Sequence, residues 1–209
     1  MTFNADVLTF QEFAMRESLP LSTIHSTVLE FLRGRNDVAL FGAQAVNAYV
    51  AEPRMTQNID ILALDAAVIA ENLKRYLSAE FHIAVRVRKL KSGQSFRLYQ
   101  IQKSGNRHLA DIRQIEQLPP VNQIAGVPVI TPADLIASKV VSYHRRRGKP
   151  KAGTDWRDLA MLLLTFPELK SDAGPVHDSL QASGAEPELF DLWRELVATD
   201  IEMEDDEDW

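Results

Sequence analysis

A short apolar run that ends at a glycine constrains the fold of this chain more than any other feature. Val38–Phe41 has the length and composition of a buried strand, Gly42 ends it, and residues 43–50 have a helical pattern that Pro53 stops. Residues 58–64 then alternate polar and apolar side chains, as in a strand with one face in the core. A strand, a glycine turn, a helix and a second strand in close succession predict a helix packed against a sheet.

Further helices and strands alternate along the next part of the chain. The predicted elements are helices over residues 21–35 and 65–79, an alternating hairpin over residues 82–102 and a strand over residues 108–115. Asp65 is the predicted cap of the second helix. Adjacent strands mixed with helices favour an α+β fold with a mixed β-sheet flanked by helices, followed by a helical C-terminal region.

After Pro119 and Pro120 the pattern of the sequence changes from mixed strands and helices to mostly helices. Thr131 and Pro132 form a helix cap followed by proline at the first helical position, and the pattern stays mostly helical as far as Ala198. We therefore expect three parts: a sheet domain with N-terminal helices over residues 1–130, a helical region over residues 131–199 and a disordered acidic tail over residues 200–209.

The net charge of −6 comes from the end of the chain. Asp200–Trp209 contains seven acids and no base, and the remaining acids nearly balance the 23 Lys and Arg. A block of like charge repels itself and favours a solvated tail. A tail that binds a partner or masks the protein's own surface, anchored by Trp209, is the alternative.

Several classes of protein are disfavoured by what the sequence lacks. No cysteine is present, which excludes disulfides, thiolate catalysis and Cys-ligated zinc. The histidines have no metal-binding spacing, and no phosphate-binding loop, dinucleotide fingerprint or nucleophile-elbow motif is found. No apolar run approaches the roughly 18 residues that span a bilayer, and the first residues lack the pattern of a signal peptide. We expect a cytoplasmic protein without a membrane contact.

Carboxylates near the glycine turn are the first candidate site. Asn58 and Asp60 are two residues apart on a strand and project from the same face. Gly42 begins a helix whose free N–H groups suit a phosphate. If the strand of Asp111 lies beside that of Asp60, the two acids could hold a divalent cation for phosphoryl transfer. The alternatives are an ordinary exposed acid and an ordinary tight turn.

A second candidate group lies in the helical part. Lys139 falls within an apolar helical stripe, where a lysine needs a partner or a pocket. Asp155 and Asp158 extend the apolar stripe of the next helix backward, so both acids face its core side. Thr154 or Asp155 could instead cap that helix, or Lys139 could form a plain ion pair with Asp155 or Asp158.

A basic run connects these two helices. Residues 144–151 contain five Lys and Arg. Such a run is typical of solvated loop charges. It also fits a phosphate-rich partner, such as a nucleoside triphosphate or RNA, or the acidic tail of the same chain.

The sequence resembles the nucleotidyltransferase superfamily, and within it the AbiEii-type toxins of bacteria. Two segments carry this resemblance: the strand and turn at residues 40–45, and the pattern Arg-x-Thr-x-Asn-Ile-Asp at residues 54–60. A later strand supplies a third acid, Asp111, and the likeness extends over about residues 36–166. Two positions depart from the family pattern. Asn58 stands where the family has a first metal-binding Asp, and Ala43 stands where it often has Ser.

The resemblance implies roles for the residues of the first group. Asp60 and Asp111 would hold Mg²⁺ or Mn²⁺, with Asn58 as a weaker ligand because it is neutral. Gly42, Ala43 and Thr56 would bind the nucleotide.

It also implies roles for the second group and a set of partners. Lys139 would contact the phosphates, and Asp158 would place or activate the acceptor. The expected reaction is transfer of a nucleotidyl group from a nucleoside triphosphate to RNA, a protein or a small molecule, with an antitoxin as a further partner. One alternative is a catalytically degenerate module of the same fold that binds nucleotides or proteins. Another is a purely structural α/β protein, in which these residues would lie far apart.

Overall fold

The computed structural model describes residues 19–91, 93–103 and 105–202. These residues divide into two compact units, the first within Met1–Ala48 and Pro53–Thr131, the second within Tyr49–Glu52 and Pro132–Trp209. The acidic tail predicted over residues 200–209 lies outside the described residues from position 203 onward.

The first unit is built around a seven-stranded mixed sheet with the strand order β3-β4-β5-β2-β1-β7-β6. Its strands are β1 (Val38–Phe41), β2 (Ile59–Ala63), β3 (Val85–Lys89), β4 (Ser95–Gln102), β5 (Gly105–Gln114), β6 (Val121–Ile124) and β7 (Val127–Ile130). The pairs β2–β5 and β1–β7 are parallel, and the other neighbours are antiparallel. A mixed sheet with helices confirms the predicted α+β class.

Three helices accompany the sheet in the described residues of this unit: α1 (Leu21–Leu32), α2 (Gly42–Tyr49) and α3 (Ala66–Phe81). Helix α1 buries the predicted apolar face, including Ile24, Val28 and Leu32, whose exposure is zero. The predicted cap of α3 is confirmed, because the side chain of Asp65 accepts a hydrogen bond of 3.0 Å from the backbone N–H of Val68.

Buried and partly exposed side chains alternate along β2, so one face of the strand lies in the core and the other is accessible. Ile59 and Ile61 are fully buried, whereas Asp60 between them is partly exposed. Burial of each isoleucine stabilises the fold by about 1.5–3 kcal/mol, so it fixes which way the strand faces. The apolar residues of β2 therefore determine that Asp60 points away from their side of the sheet.

The second unit consists of helices in its described part. They are α4 (Pro132–Arg146), α5 (Lys151–Thr165), a 3₁₀ turn (Pro167–Leu169), α6 (Pro175–Ala182) and α7 (Pro187–Ala198). Trp193 is fully buried in this unit and donates its indole N–H to the carbonyl of Ser171 at 3.0 Å. Among the helices of both units, as far as the chain is described, none has the length and apolar character needed to cross a bilayer.

Candidate functional site

Asp60 and Asp111 lie side by side in the sheet of the first unit. Their Cα atoms are register partners in the parallel pair β2–β5, and partners on adjacent strands project from the same face. The adjacency on which the sequence-based prediction depended is therefore present. Phe41 and Arg97 are the next partners on either side, and Arg88 on β3 is the register partner of Arg97, so one row of residues crosses five strands.

Asn58 connects the two carboxylates. Its side-chain amide donates to Asp60 Oδ1 at 3.1 Å and to Asp111 Oδ2 at 3.4 Å. One amide group can reach both acids only if their oxygen atoms converge on a common point. Asn58, which precedes the first residue of β2, thus occupies the position between the acids where a third oxygen ligand would be needed.

Gly42 borders the same acids on the side of helix α2. Its φ angle of +72° lies in the left-handed region, where residues with a Cβ are strained. A Cβ added at this position would overlap the carboxylate of Asp60 and would lie 2.9 Å from both Cβ and Cγ of that residue. Gly42 therefore meets two separate requirements, the backbone conformation of the turn and the space that the Asp60 side chain occupies. Ala43 follows it in the first turn of the helix.

Two buried polar residues of α2 hold the segment that leads to Asn58. Asn47 donates to the carbonyl of Arg54 at 2.7 Å and accepts from the N–H of Arg54 at 3.0 Å. Gln44 Oε1 lies 3.4 Å from the hydroxyl of Thr56, which donates to it. Because Gln44 and Asn47 are only 3% and 5% exposed, these bonds fix the segment of Thr56 against the helix. The sequence reading did not identify either residue, although two polar residues within a helix that packs on a sheet were a usable signal.

Arg97 on β4 contacts Asp111 directly and was also missed by the sequence reading. Its Nε donates to Asp111 Oδ1 at 2.6 Å, and its Nη2 donates to Oδ2 at 3.4 Å. Both carboxylate oxygens of Asp111 therefore accept hydrogen bonds from one guanidinium. The hydrogen bond to Asp111 is the main cause that raises the pKa of Arg97 above its usual value. The guanidinium therefore stays positively charged over the whole pH range in which the protein is folded.

His108 is the third neighbour of Asp111. Its Nε2 lies 3.3 Å from Asp111 Oδ1, close enough for an ion pair when the imidazole is protonated, although this buried nitrogen makes no hydrogen bond within the described residues. Burial is the largest single influence on Asp111 and raises the pKa of its carboxyl group. The opposing contacts with His108 and Arg97 together outweigh burial, so the pKa of Asp111 lies below its usual value.

The donor set fits one divalent cation. Two carboxylates and one amide oxygen are the hard ligands that Mg²⁺ and Mn²⁺ accept, and a half-turn of the Asn58 amide would present its oxygen in place of its NH₂. Among the described residues no group of three or more His, Asp or Glu is arranged to hold a metal. Asn58 or a phosphate oxygen would thus have to complete the coordination by Asp60 and Asp111.

The second candidate group forms a compact charge cluster within the helical unit. Lys139 on α4 donates to Asp158 Oδ2 at 2.5 Å and lies 3.8 Å from Asp155 Oδ1. Arg146, also on α4, donates to Asp155 at 2.8 Å. Lys139, Asp155 and Asp158 are 6%, 2% and 0% exposed, so two buried acids are balanced by one buried lysine and one half-exposed arginine.

The start of helix α5 differs from the prediction. The helix begins at Lys151, so Thr154 and Asp155 are within it and neither is its cap. The capping interpretation of these residues is therefore wrong, whereas the ion pair between the two helices is present. The prediction placed the start too late because Gly153, a poor helix former, lies in the first turn.

The basic run is only partly a loop. Residues 144–146 belong to α4, and Arg146 and Arg147 pair with Asp155 and Glu195 at 2.8 and 3.0 Å. Three cations of the run have no side-chain partner among residues 19–91, 93–103 and 105–202: Arg145, Lys149 and Lys151. Of these three, only Lys149 lies in the loop, because Arg145 belongs to α4 and Lys151 begins α5. The interpretation as solvated loop charge therefore applies to Lys149 and not to the ion pairs at positions 146 and 147.

A family model matches most of the chain. The model is described as "Nucleotidyl transferase AbiEii toxin, Type IV TA system", and the match covers residues 29–209. No curated protein sequence matches the chain significantly.

Solved structures share the fold at low sequence identity. The Megavirus polyadenylate synthase superposes with a TM-score of 0.61 and 10% identity over 78% of this chain. The chain spans only 35% of the length of that viral protein. The protein JHP933 from Helicobacter pylori superposes with a TM-score of 0.52 and 13% identity, over 91% of this chain and 90% of the other. At such identities the similarity concerns the fold alone.

Proposed function

The chain belongs to the AbiEii nucleotidyltransferase toxin family, and from this premise we propose that it transfers a nucleotidyl group from a nucleoside triphosphate to an acceptor with the help of a divalent metal ion. The observation that carries the proposal is the register pairing of Asp60 with Asp111 beside the glycine turn at Gly42. RNA and protein are the acceptor classes that we propose to test, and an antitoxin is the partner that membership of a type IV toxin–antitoxin family suggests.

The candidate site residues of the first unit would each have a distinct role in this reaction. Asp60 and Asp111 would bind Mg²⁺ or Mn²⁺, and Asn58 would add a neutral oxygen. A bound divalent cation supplies charge stabilisation at the phosphorus and lowers the pKa of an attacking hydroxyl. The backbone N–H groups at the start of α2, at Gly42 and Ala43, would donate to phosphate oxygens.

Thr56 and its supports would position the nucleotide. The hydroxyl of Thr56 donates to Gln44, and the hydrogen bonds between Asn47 and Arg54 hold the backbone just before Asn58 and Asp60. A fixed segment of this kind reduces the entropy lost when a substrate is oriented. Lys139 and Asp158 pair with each other in the helical unit, and the phosphate and acceptor roles that the family resemblance implies for them are part of this proposal.

A catalytically degenerate module is the second candidate, and two observations favour it. Asn58 contributes no negative charge, and Arg97 covers both oxygens of Asp111. Both features weaken the binding of a cation relative to three carboxylates. Such a protein would bind nucleotides, or a protein partner, without turnover.

Incorporation of label from α-³²P nucleoside triphosphates distinguishes these two functions. We would incubate the full chain with each of the four nucleotides, with Mg²⁺ or Mn²⁺, and with total tRNA or total protein as acceptor. Wild-type activity that is lost in Asp60→Asn supports the enzyme. Activity seen only in Asn58→Asp supports degeneration. No incorporation by either protein, under any of these conditions, would count against nucleotidyl transfer.

A further inference from the structure

We propose that Arg97 is a resident counter-cation of the candidate site, which takes the place of a second divalent ion and limits the site to one. The inference rests on the proposed function, because it concerns the cation that Asp60 and Asp111 would hold. It goes beyond that function by assigning a role to a residue of β4.

The geometry keeps the guanidinium on Asp111. Arg97 and Asp111 are register partners in the antiparallel pair β4–β5, so the backbone alone places their side chains together on one face. Nε and Nη2 then reach the two oxygens of Asp111 at 2.6 and 3.4 Å. A metal ion bound to Asp111 would have to share these oxygens with the guanidinium, which loses no proton in exchange.

The charges of the site allow a single divalent ion. Among the contacts described above, Asp60 and Asp111 contribute two negative charges, Asn58 contributes none, and Arg97 contributes one positive charge. His108 adds a further positive charge only when its imidazole is protonated. One divalent ion bound here already leaves the group with a net positive charge, so a second ion would be repelled. Sites that hold two metal ions rely on additional carboxylates, and Asn58 occupies the position where one would be needed.

The same guanidinium is suited to contact a triphosphate. Its planar set of N–H donors matches phosphate oxygens as well as carboxylates. The side chain of Arg97 is 35% exposed, so it remains accessible while it holds Asp111. Arg97 would therefore supply part of the positive charge that a second metal ion provides in two-metal sites.

The binding of Mn²⁺ to the full chain, without nucleotide, tests the inference. Free Mn²⁺ is followed by electron paramagnetic resonance, which gives both the number of bound ions and their Kd. We expect one weak ion in wild type, at least about tenfold tighter binding in Arg97→Gln, and two ions in the double variant Arg97→Gln/Asn58→Asp. Arg86→Gln is the matched control, because Arg86 lies on the neighbouring strand β3 and its removal changes the net charge equally. It should bind Mn²⁺ like wild type.

The outcomes separate this inference from the proposed function. Equal Kd values in wild type, Arg97→Gln and Arg86→Gln would overturn the role of Arg97 and leave the metal site intact. Mn²⁺ binding that Asp60→Asn does not change, in any background, would remove the metal site itself. If Arg97→Gln fails to fold, the single variant Asn58→Asp decides, because one bound ion supports the inference and two ions overturn it.

Discussion

Asp60 and Asp111, which are 51 positions apart in the chain, are direct neighbours because β2 and β5 pair in parallel with these two residues in register. Two like charges in adjacent positions repel each other, and the structure compensates with the amide of Asn58 and the guanidinium of Arg97. The candidate site is thus a balanced arrangement of charges whose members can be changed one at a time.

Gly42→Ala should destabilise the protein by more than the cost of a left-handed backbone conformation alone. The left-handed backbone costs a residue with a Cβ about 1–2 kcal/mol, and the new methyl group would also displace the carboxylate of Asp60. Gly34→Ala is the matched control, because Gly34 has φ of +69° and nothing within 4 Å of an added Cβ. Urea unfolding measures both variants, and equal losses would show that contact with Asp60 is unimportant.

Asn58→Asp should lower the stability of the metal-free protein. It places a third carboxylate where the amide now donates to Asp60 and Asp111, and replaces two attractions with repulsions of about 1–3 kcal/mol in total. Saturating Mn²⁺ should raise the Tm of this variant by more than that of wild type. Asn106→Asp, at an exposed position of β5, is the control for charge alone. A variant as stable as wild type in EDTA would contradict the bridging role of the amide.

The pH dependence of stability should report the pair of Arg97 and Asp111. Burial raises the pKa of Asp111, but contacts with His108 and Arg97 lower it more, so its folded pKa lies below the unfolded value of about 3.9. A carboxyl group of this kind stabilises the fold above its unfolded pKa and loses that contribution as pH falls through its folded pKa.

We therefore expect the stability difference between wild type and Arg97→Gln to be largest near pH 7 and to shrink below about pH 4. Urea unfolding at about pH 7, 5, 4 and 3 measures this difference, with Arg86→Gln as reference. A difference that stays constant over the whole range would mean that Arg97 stabilises the protein by packing and not through the charge of Asp111.

Lys139→Met should be strongly destabilising, by about 3–5 kcal/mol, because it removes the ammonium group that donates to the fully buried Asp158. The double variant Lys139→Met/Asp158→Leu should recover much of this loss, since it removes both charges. Thermal unfolding gives the coupling between the two sites. Additive losses would contradict the buried pair. A double variant that is stable but has lost incorporation activity would show that the pair has a role in catalysis and is not a plain ion pair.

The sequence was sufficient to identify the elements that hold the site. The apolar run of β1, the glycine turn and the alternation along β2 each follow from local patterns, and Asp65 was recognised as a cap from its position before a helix. These features depend on residues that are close together in the chain. Local patterns therefore predicted them correctly.

Pairing between distant strands was harder to predict. The sequence predicted a site only if Asp111 lay beside Asp60, and it gave no indication of Arg97. The alternation of polar and apolar residues shows which face of a strand a residue occupies, but not which residue lies next to it on another strand. Strand β6 was missed because three of its four residues are exposed and two are polar, so it has no apolar pattern.

The row of residues that crosses five strands also bears on how the sheet reaches its correct pairing. A strand that paired one residue out of step would turn its charged side chain into the apolar layer, where a lone acid such as Asp111 or Asp60 is very unfavourable. The same acids that are proposed to bind a metal thus discriminate against misaligned sheets while the chain folds. Variants that neutralise them should fold with less fidelity even where the final structure tolerates the change.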